Sequence, residues 1–185
     1  MVRDTADAND HAVARLDLQP SSTVLEVGFG QGRTVAVILD RGHRVLGVDA
    51  SATMVSQATA RNRTACRGGR ARLLLGDGVT VPFDDDSADA AFTVHTVYFM
   101  PNPRATFGEI ARVLRPRAAL VVACRTSDTP LPAWMDPAVY RIPTAAHLTD
   151  ALHAAGFADV GHDRIDAGTH DLYLFTARTT GARSS

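Results

Sequence analysis

The feature that most limits the fold of this chain is residues 24–39, VLEVGFGQGRTVAVIL. A short apolar run closes on glycines at alternate positions, Gly28, Gly30 and Gly32, and passes directly into apolar residues at helical spacing. Glycines are needed where the backbone takes a positive φ, or where a ligand approaches with no Cβ in the way. A strand, a glycine turn and a helix in that order open a sheet of parallel strands covered by helices.

The rest of the chain repeats the alternation. Residues 43–49 read as a second strand, 51–65 as a helix with Ser51 at its N-cap, 70–77 as a third strand and 87–95 as a fourth. Pro103, in the first helical position after Asn102, opens another helix that Pro116 should stop. Residues 119–124, ALVVAC, are continuously apolar, as a strand buried on both faces should be. Four prolines between 125 and 143 mark a loop. A helix over 144–157, capped by Thr144 and ended by Gly156, precedes two strands joined around Asp166–Gly168, a connection short enough for an antiparallel hairpin. The reading is one domain over residues 1–177, with a short helix in 1–20 and a disordered tail from 178.

Nineteen basic against 20 acidic side chains leave a net charge of −1, no field for nucleic acid or an anionic membrane. Cys66 and Cys124 form no C-x-x-C pair, and no window is apolar enough to span a bilayer, so the chain reads as cytoplasmic. Seven scattered histidines without paired acids give no metal site.

Acids decide what the glycine turn binds. Dinucleotide folds use G-x-G-x-x-G; here the third glycine comes one residue early, and Arg33 stands in its place. Glu26, two residues before Gly28, would repel a pyrophosphate but suits a cationic group. Unpaired in an apolar strand it would cost at least ~2 kcal/mol or shift its pKa strongly upward. Asp49 ends the second strand, where an acid accepts from ribose hydroxyls. Asp77 follows the third, placed for an adenine amino group, although it also suits a turn before Gly78. An adenosine with a cationic, unphosphorylated extension fits all three: S-adenosylmethionine.

With these residues in place, the chain resembles the class I S-adenosylmethionine-dependent methyltransferases, type 11 branch, from about residue 23 to 157. LEVGFGQGRT, VLGVDAS with Met54, GDGVTVPFDDDSADAAF, HTVYFMPNP and EIARVLRPRAALVVA follow the family's motifs in order. Ala88 departs from the aromatic usual in the fourth-strand motif, and the short segment before the first strand implies a reduced lid. The resemblance implies a three-layer α/β/α Rossmann-like sandwich, with a seven-stranded, mostly parallel sheet of order 3-2-1-4-5-7-6 and an antiparallel last strand. It also implies cofactor binding by Glu26, Gly28, Phe29, Gly30, Gly32, Asp49, Ala50, Ser51, Met54, Asp77, Gly78, Val79 and His95. His95 and Tyr98 would border the methyl-transfer site, with Phe99 and the 125–143 loop as further wall.

The implied activity is in-line methyl transfer to a small-molecule acceptor, with positioning supplying most of the acceleration and His95 serving as base if the acceptor is a hydroxyl. His95 reads equally as a packed strand-end histidine. Two other classes compete: a nicotinamide-dependent oxidoreductase on a similar fold, which Glu26 and the glycine spacing disfavour, and a non-catalytic S-adenosylmethionine-binding protein. A nucleic-acid methyltransferase is disfavoured by HTVYF, which lacks the Asn or Asp, proline and aromatic cluster of base-amine enzymes. The acceptor atom (O, N, C or S) and the oligomeric state stay open.

Overall fold

The protein is described by a computed structural model over residues 2–136, 138–165 and 171–181. Strands β1 (Thr23–Val27), β2 (Arg44–Asp49), β3 (Ala71–Leu75), β4 (Ala88–Val94), β5 (Leu114–Cys124), β6 (Phe157–Ile165) and β7 (Leu172–Thr179) form one sheet of order β3-β2-β1-β4-β5-β7-β6. The first five pair in parallel, and β7 runs antiparallel to both β5 and β6. This is the expected architecture. The expected hairpin at Asp166–Gly168 lies outside the described residues; on either side of it Ile165 pairs with Leu172.

Alternation along β1 builds the three layers. Val24 joins a core with Ala8 and Ala12 of α1 (Val2–Ala14), Val35 and Ile38 of α2 (Arg33–Asp40), and Ala58 of α3 (Ala52–Arg61). Leu25 and Val27 point the other way, towards Phe107 and Ile110 of one helix and Leu148 and Leu152 of another. Since successive side chains of a strand point to opposite faces, both faces must be covered. α1 is therefore one of the covering helices, buried through Ala8, Ala12 and Val13.

Side-chain caps explain three of the helix starts. Ser51 accepts from Met54 N at 3.4 Å to cap α3. Asn102 accepts from Ala105 N at 3.2 Å at the start of the first of these helices, and Thr144 accepts from His147 N at 3.1 Å at the start of the second. Numbered after α4 (Arg63–Arg67), they are α5 (Pro103–Val113) and α6 (Ala145–Ala154).

Three boundaries differ from the sequence reading. The helix expected over 51–65 breaks at Asn62, whose buried amide donates to Ala58 O at 2.9 Å and to Gly32 O at 3.1 Å. A side chain that serves two carbonyls this way ties α3 to the glycine turn and interrupts its own helix. α5 ends at Val113, before Pro116, and β5 begins at Leu114. Pairing jumps from Ala88↔Leu114 to Ala90↔Ala119, so Pro116 sits in an unpaired bulge where its missing N–H removes no ladder bond. β7 extends to Thr179, into the tail expected from 178. Thr179 Oγ1 accepts from Ala118 N at 2.9 Å and donates to Arg115 O at 2.6 Å, closing that bulge.

Candidate active site

Beyond the carboxyl ends of β1, β2 and β4 lies a cleft of about 510 Å³. Of the residues expected to bind cofactor, Gly28, Asp49, Ala50, Ser51, Asp77, Gly78 and His95 line it. A neighbouring recess of about 500 Å³ shares Ala50, Gly76 and Asp77 and is rimmed by Leu75.

The three glycines do three different jobs. All have positive φ: 81° at Gly28, 52° at Gly30 and 70° at Gly32. A Cβ on Gly28 would lie 2.2 Å from Thr96 Oγ1, and one on Gly32 would lie 2.7 Å from Ala58 Cβ. Those two glycines let β4's end and α3 pack against the turn. A Cβ on Gly30 would meet no protein atom within 4 Å. Gly30 is the position where the turn itself stays approachable.

Asp49 holds this turn in place. Its Oδ2 accepts from Gly30 N at 2.8 Å and its Oδ1 from Ser51 N at 2.9 Å, so one carboxylate joins the ends of β1 and β2. Each oxygen keeps a further lone pair for a ligand hydroxyl. Asp77 is a turn residue as well, with Oδ1 accepting from Val79 N at 2.9 Å and Thr80 N at 3.3 Å. Its exposed side chain stands at the mouth where cleft and recess meet. The following segment is fastened to α5 by Arg112, which donates to Val81 O at 2.7 Å, Phe83 O at 2.9 Å and Asp85 Oδ1 at 2.7 Å.

Glu26, like Gly30, is not among the residues lining the cleft; it is 4% exposed on β1, and its Oε2 has no hydrogen-bond partner among the described residues. Burial, reinforced by the negative charge of Asp49, pushes its pKa up to about 8. Without a cationic partner this carboxyl is therefore neutral at pH 7.

β4 ends in His95, which adopts the left-handed backbone region at φ 55° while its N–H donates to Ala123 O at 2.8 Å. Such strained positions in non-glycine residues concentrate at functional sites. Behind His95 stands Tyr98, 3% exposed, with its Oη 3.1 Å from His95 Nδ1. The same Oη accepts from Arg125 N at 2.6 Å. Burial raises the Tyr98 pKa well above its ordinary value, so the phenol keeps its proton. In the tautomer where the Tyr98 phenol donates to Nδ1, a neutral His95 carries its own proton on Nε2.

Not every expected residue reaches the cleft. The Phe29 ring is buried in the α1–α3 core against Gly47, where a Cβ on Gly47 would lie 2.7 Å from it. Gly32 is a packing position, and Met54 sits half-buried in the first turn of α3. Val79 is 38% exposed beside Asp77. Tyr98 supports His95 from the core and does not line the cleft. Conversely, Thr96, Met100 and Thr106 line it. Thr106 Oγ1 is buried with no partner among the described residues. Nothing in the pattern of α5 distinguishes that threonine from a core-facing neighbour; the signal exists only in three dimensions.

The model of the methyltransferase domain family, type 11, matches residues 25–122, which spans the glycine turn, both acidic strand ends and His95. The chain belongs to the class I, type 11 methyltransferase family. A 24-methylenesterol C-methyltransferase 2 of Oryza sativa subsp. japonica is 28% identical over 153 residues, covering 82% of this chain and 39% of that one. The O-methyltransferase resE of Aspergillus sclerotiorum is 30% identical over 122 residues, covering 64% of this chain and 46% of that one. This methyltransferase domain thus spans less than half the length of either relative.

Among solved structures, the putative methyltransferase in complex with the Haloferax volcanii Trm112 activator has a TM-score of 0.86 at 22% identity, covering 100% of this chain and 93% of that one. Geranyl diphosphate C-methyltransferase of Streptomyces coelicolor A3(2), solved with S-adenosyl-L-homocysteine, has a TM-score of 0.78 at 15% identity, covering 95% of this chain and 79% of that one. The family's cofactor is S-adenosyl-L-methionine. The residues present fit it: an orphaned buried carboxyl oxygen for a cation, an open Gly30, and acids at two strand ends. Among the described residues no helix is long and apolar enough to cross a membrane.

Proposed function

We propose that this domain transfers a methyl group from S-adenosylmethionine to a small-molecule acceptor by in-line displacement. The observation that carries the reading is Glu26, a buried carboxyl with an oxygen that no described residue satisfies, on the strand that runs into the one turn glycine open to a ligand. A pyrophosphate brings no positive charge to balance that carboxyl once ionised, whereas an ammonium group does and completes the site. In this reading Glu26 holds the ammonium group, Asp49 the ribose hydroxyls and Asp77 the adenine amino group. The bound cofactor supplies a sulfonium methyl already activated towards nucleophiles.

The protein's part is then to place the acceptor and exclude water. His95 is the polar group on the acceptor side. With Tyr98's proton on Nδ1, His95 presents Nε2–H and orients an acceptor by donating to it. Taking a proton from a hydroxyl requires the reverse arrangement, with Nδ1–H on the phenol oxygen. An amine, thiolate or electron-rich carbon needs no such reversal. The named activities of the sterol and geranyl diphosphate C-methyltransferases support a small-molecule acceptor.

Calorimetric titration tests the reading. S-adenosylhomocysteine should bind with a Kd in the micromolar range, about −8 kcal/mol, and NADH should give no heat. Binding of NADH with no binding of S-adenosylhomocysteine would return the oxidoreductase reading to first place.

A further inference from the structure

Outside the acids and the histidine, the least ordinary surface of this domain is aromatic. Phe99 is 58% exposed, Trp134 is 50% exposed and Val139 is 61% exposed, while Tyr140 is half-buried between the two rings. The Phe99 and Tyr140 centroids are 5.5 Å apart, and those of Tyr140 and Trp134 5.8 Å. The rings come from two places, the turn after β4 and the proline-rich loop after β5. Both are anchored on the same phenol: Tyr98 packs edge-on to Phe99 at 6.3 Å and to Tyr140 at 6.1 Å. Tyr98 also contacts His95.

Scattered exposed apolar side chains need no explanation, but a contiguous row of them marks a binding surface. This row is continuous with the cleft, because Phe99 belongs to both. Whatever lies along it ends beside His95.

We infer that the ledge Phe99–Tyr140–Trp134 is the acceptor subsite, and that it takes a planar, uncharged, multi-ring acceptor laid against the rings with its reactive edge at His95. The inference rests on the methyltransferase reading and adds the acceptor's chemical class. Rings offer a large apolar area with little entropy to lose, and a flat apolar acceptor matches them by offset or edge-on stacking. The ledge residues supply no charge to balance a phosphate on a compact polar acceptor, and an open row of rings does not enclose an ammonium group as an aromatic cage does. Continuity with the cleft favours a small acceptor over a second protein chain as the occupant.

Trp134 is the chain's single tryptophan, so its fluorescence reports on the ledge alone. Titration of the full chain with 2-naphthol, with S-adenosylhomocysteine present, should quench it saturably, and phosphoethanolamine should not. By calorimetry, Trp134→Ala should weaken 2-naphthol ~5- to 10-fold and Trp134→Phe should restore most of it, with S-adenosylhomocysteine affinity the same in all three proteins. Absence of saturable quenching, equal affinity in Trp134→Ala, or equal binding of phosphoethanolamine would overturn the assignment. So would a concentration-dependent dimer, abolished by Trp134→Ala, from which 2-naphthol is excluded. In any of these cases, intact S-adenosylhomocysteine binding leaves the methyltransferase reading standing; its loss in wild type would instead remove that reading.

Discussion

Glu26 should make the unliganded protein less stable as pH rises from acid to neutral. Its folded pKa of about 8 lies above the ordinary 4.5. Between those two values the folded chain holds a proton that the unfolded chain has released, so unfolding is favoured by raising the pH. The slope is about 1.4 kcal/mol per pH unit where the difference is complete. From pH 5 to pH 7 the loss attributable to this one group comes to about 2.5 kcal/mol, since at pH 5 the unfolded carboxyl is already mostly ionised. For a chain of this size that is roughly 5–10 °C in Tm. Glu26→Gln keeps the shape and stays neutral throughout, so its stability should lack this component. The comparison is thermal unfolding by circular dichroism at pH 5, 6 and 7, wild type against variant. The difference in slope is the observable, because the new amide's donors alter the baseline and other titrating groups are common to both. The same linkage works in reverse for binding: a cationic ligand lowers the Glu26 pKa, so wild-type affinity for S-adenosylhomocysteine should rise with pH up to about 8, and Glu26→Gln should bind weakly at every pH. Identical slopes in the two proteins would mean that Glu26 is not buried and protonated as described.

Other substitutions separate binding from folding. Asp49→Ala should weaken S-adenosylhomocysteine at least tenfold by calorimetry, about 1.4 kcal/mol or more; because Asp49 also ties down Gly30 N and Ser51 N, part of that loss is turn disorder, visible as faster amide exchange there. Gly28→Ala should lower stability by ~2–4 kcal/mol in urea titrations, from strain at positive φ and the Thr96 clash. Gly30→Val should cost stability through the strain of a branched residue at φ 52° without any clash, and should be far more severe on cofactor binding, since its added atoms point to open space. Nitrogen-15 NMR of His95 should show the Nε2–H tautomer in wild type and a mixture in Tyr98→Phe. His95→Ala should slow single turnover about 100-fold or more only if the acceptor is a hydroxyl and His95 takes its proton.

The order of strands and helices, the glycine turn and the acids at the ends of β1, β2 and β3 are determined by the sequence alone. Each depends on a local rule: apolar period, positive φ, or a capping side chain that reaches its own helix. Tertiary packing decided the rest. Gly28 and Gly32 look alike in the chain, yet one answers to Thr96 and the other to Ala58. Phe29, between two of the turn glycines, turns away into the core beside Gly47. Asn62 marks a break in a helix that periodicity would continue, and its amide reaches a carbonyl thirty residues earlier. The Tyr98 hydroxyl is held between His95 and the Arg125 backbone, 27 residues on. The aromatic ledge joins residues 99, 134 and 140. Sequence carries no local mark for such pairings, since they depend on where the sheet brings distant loops together.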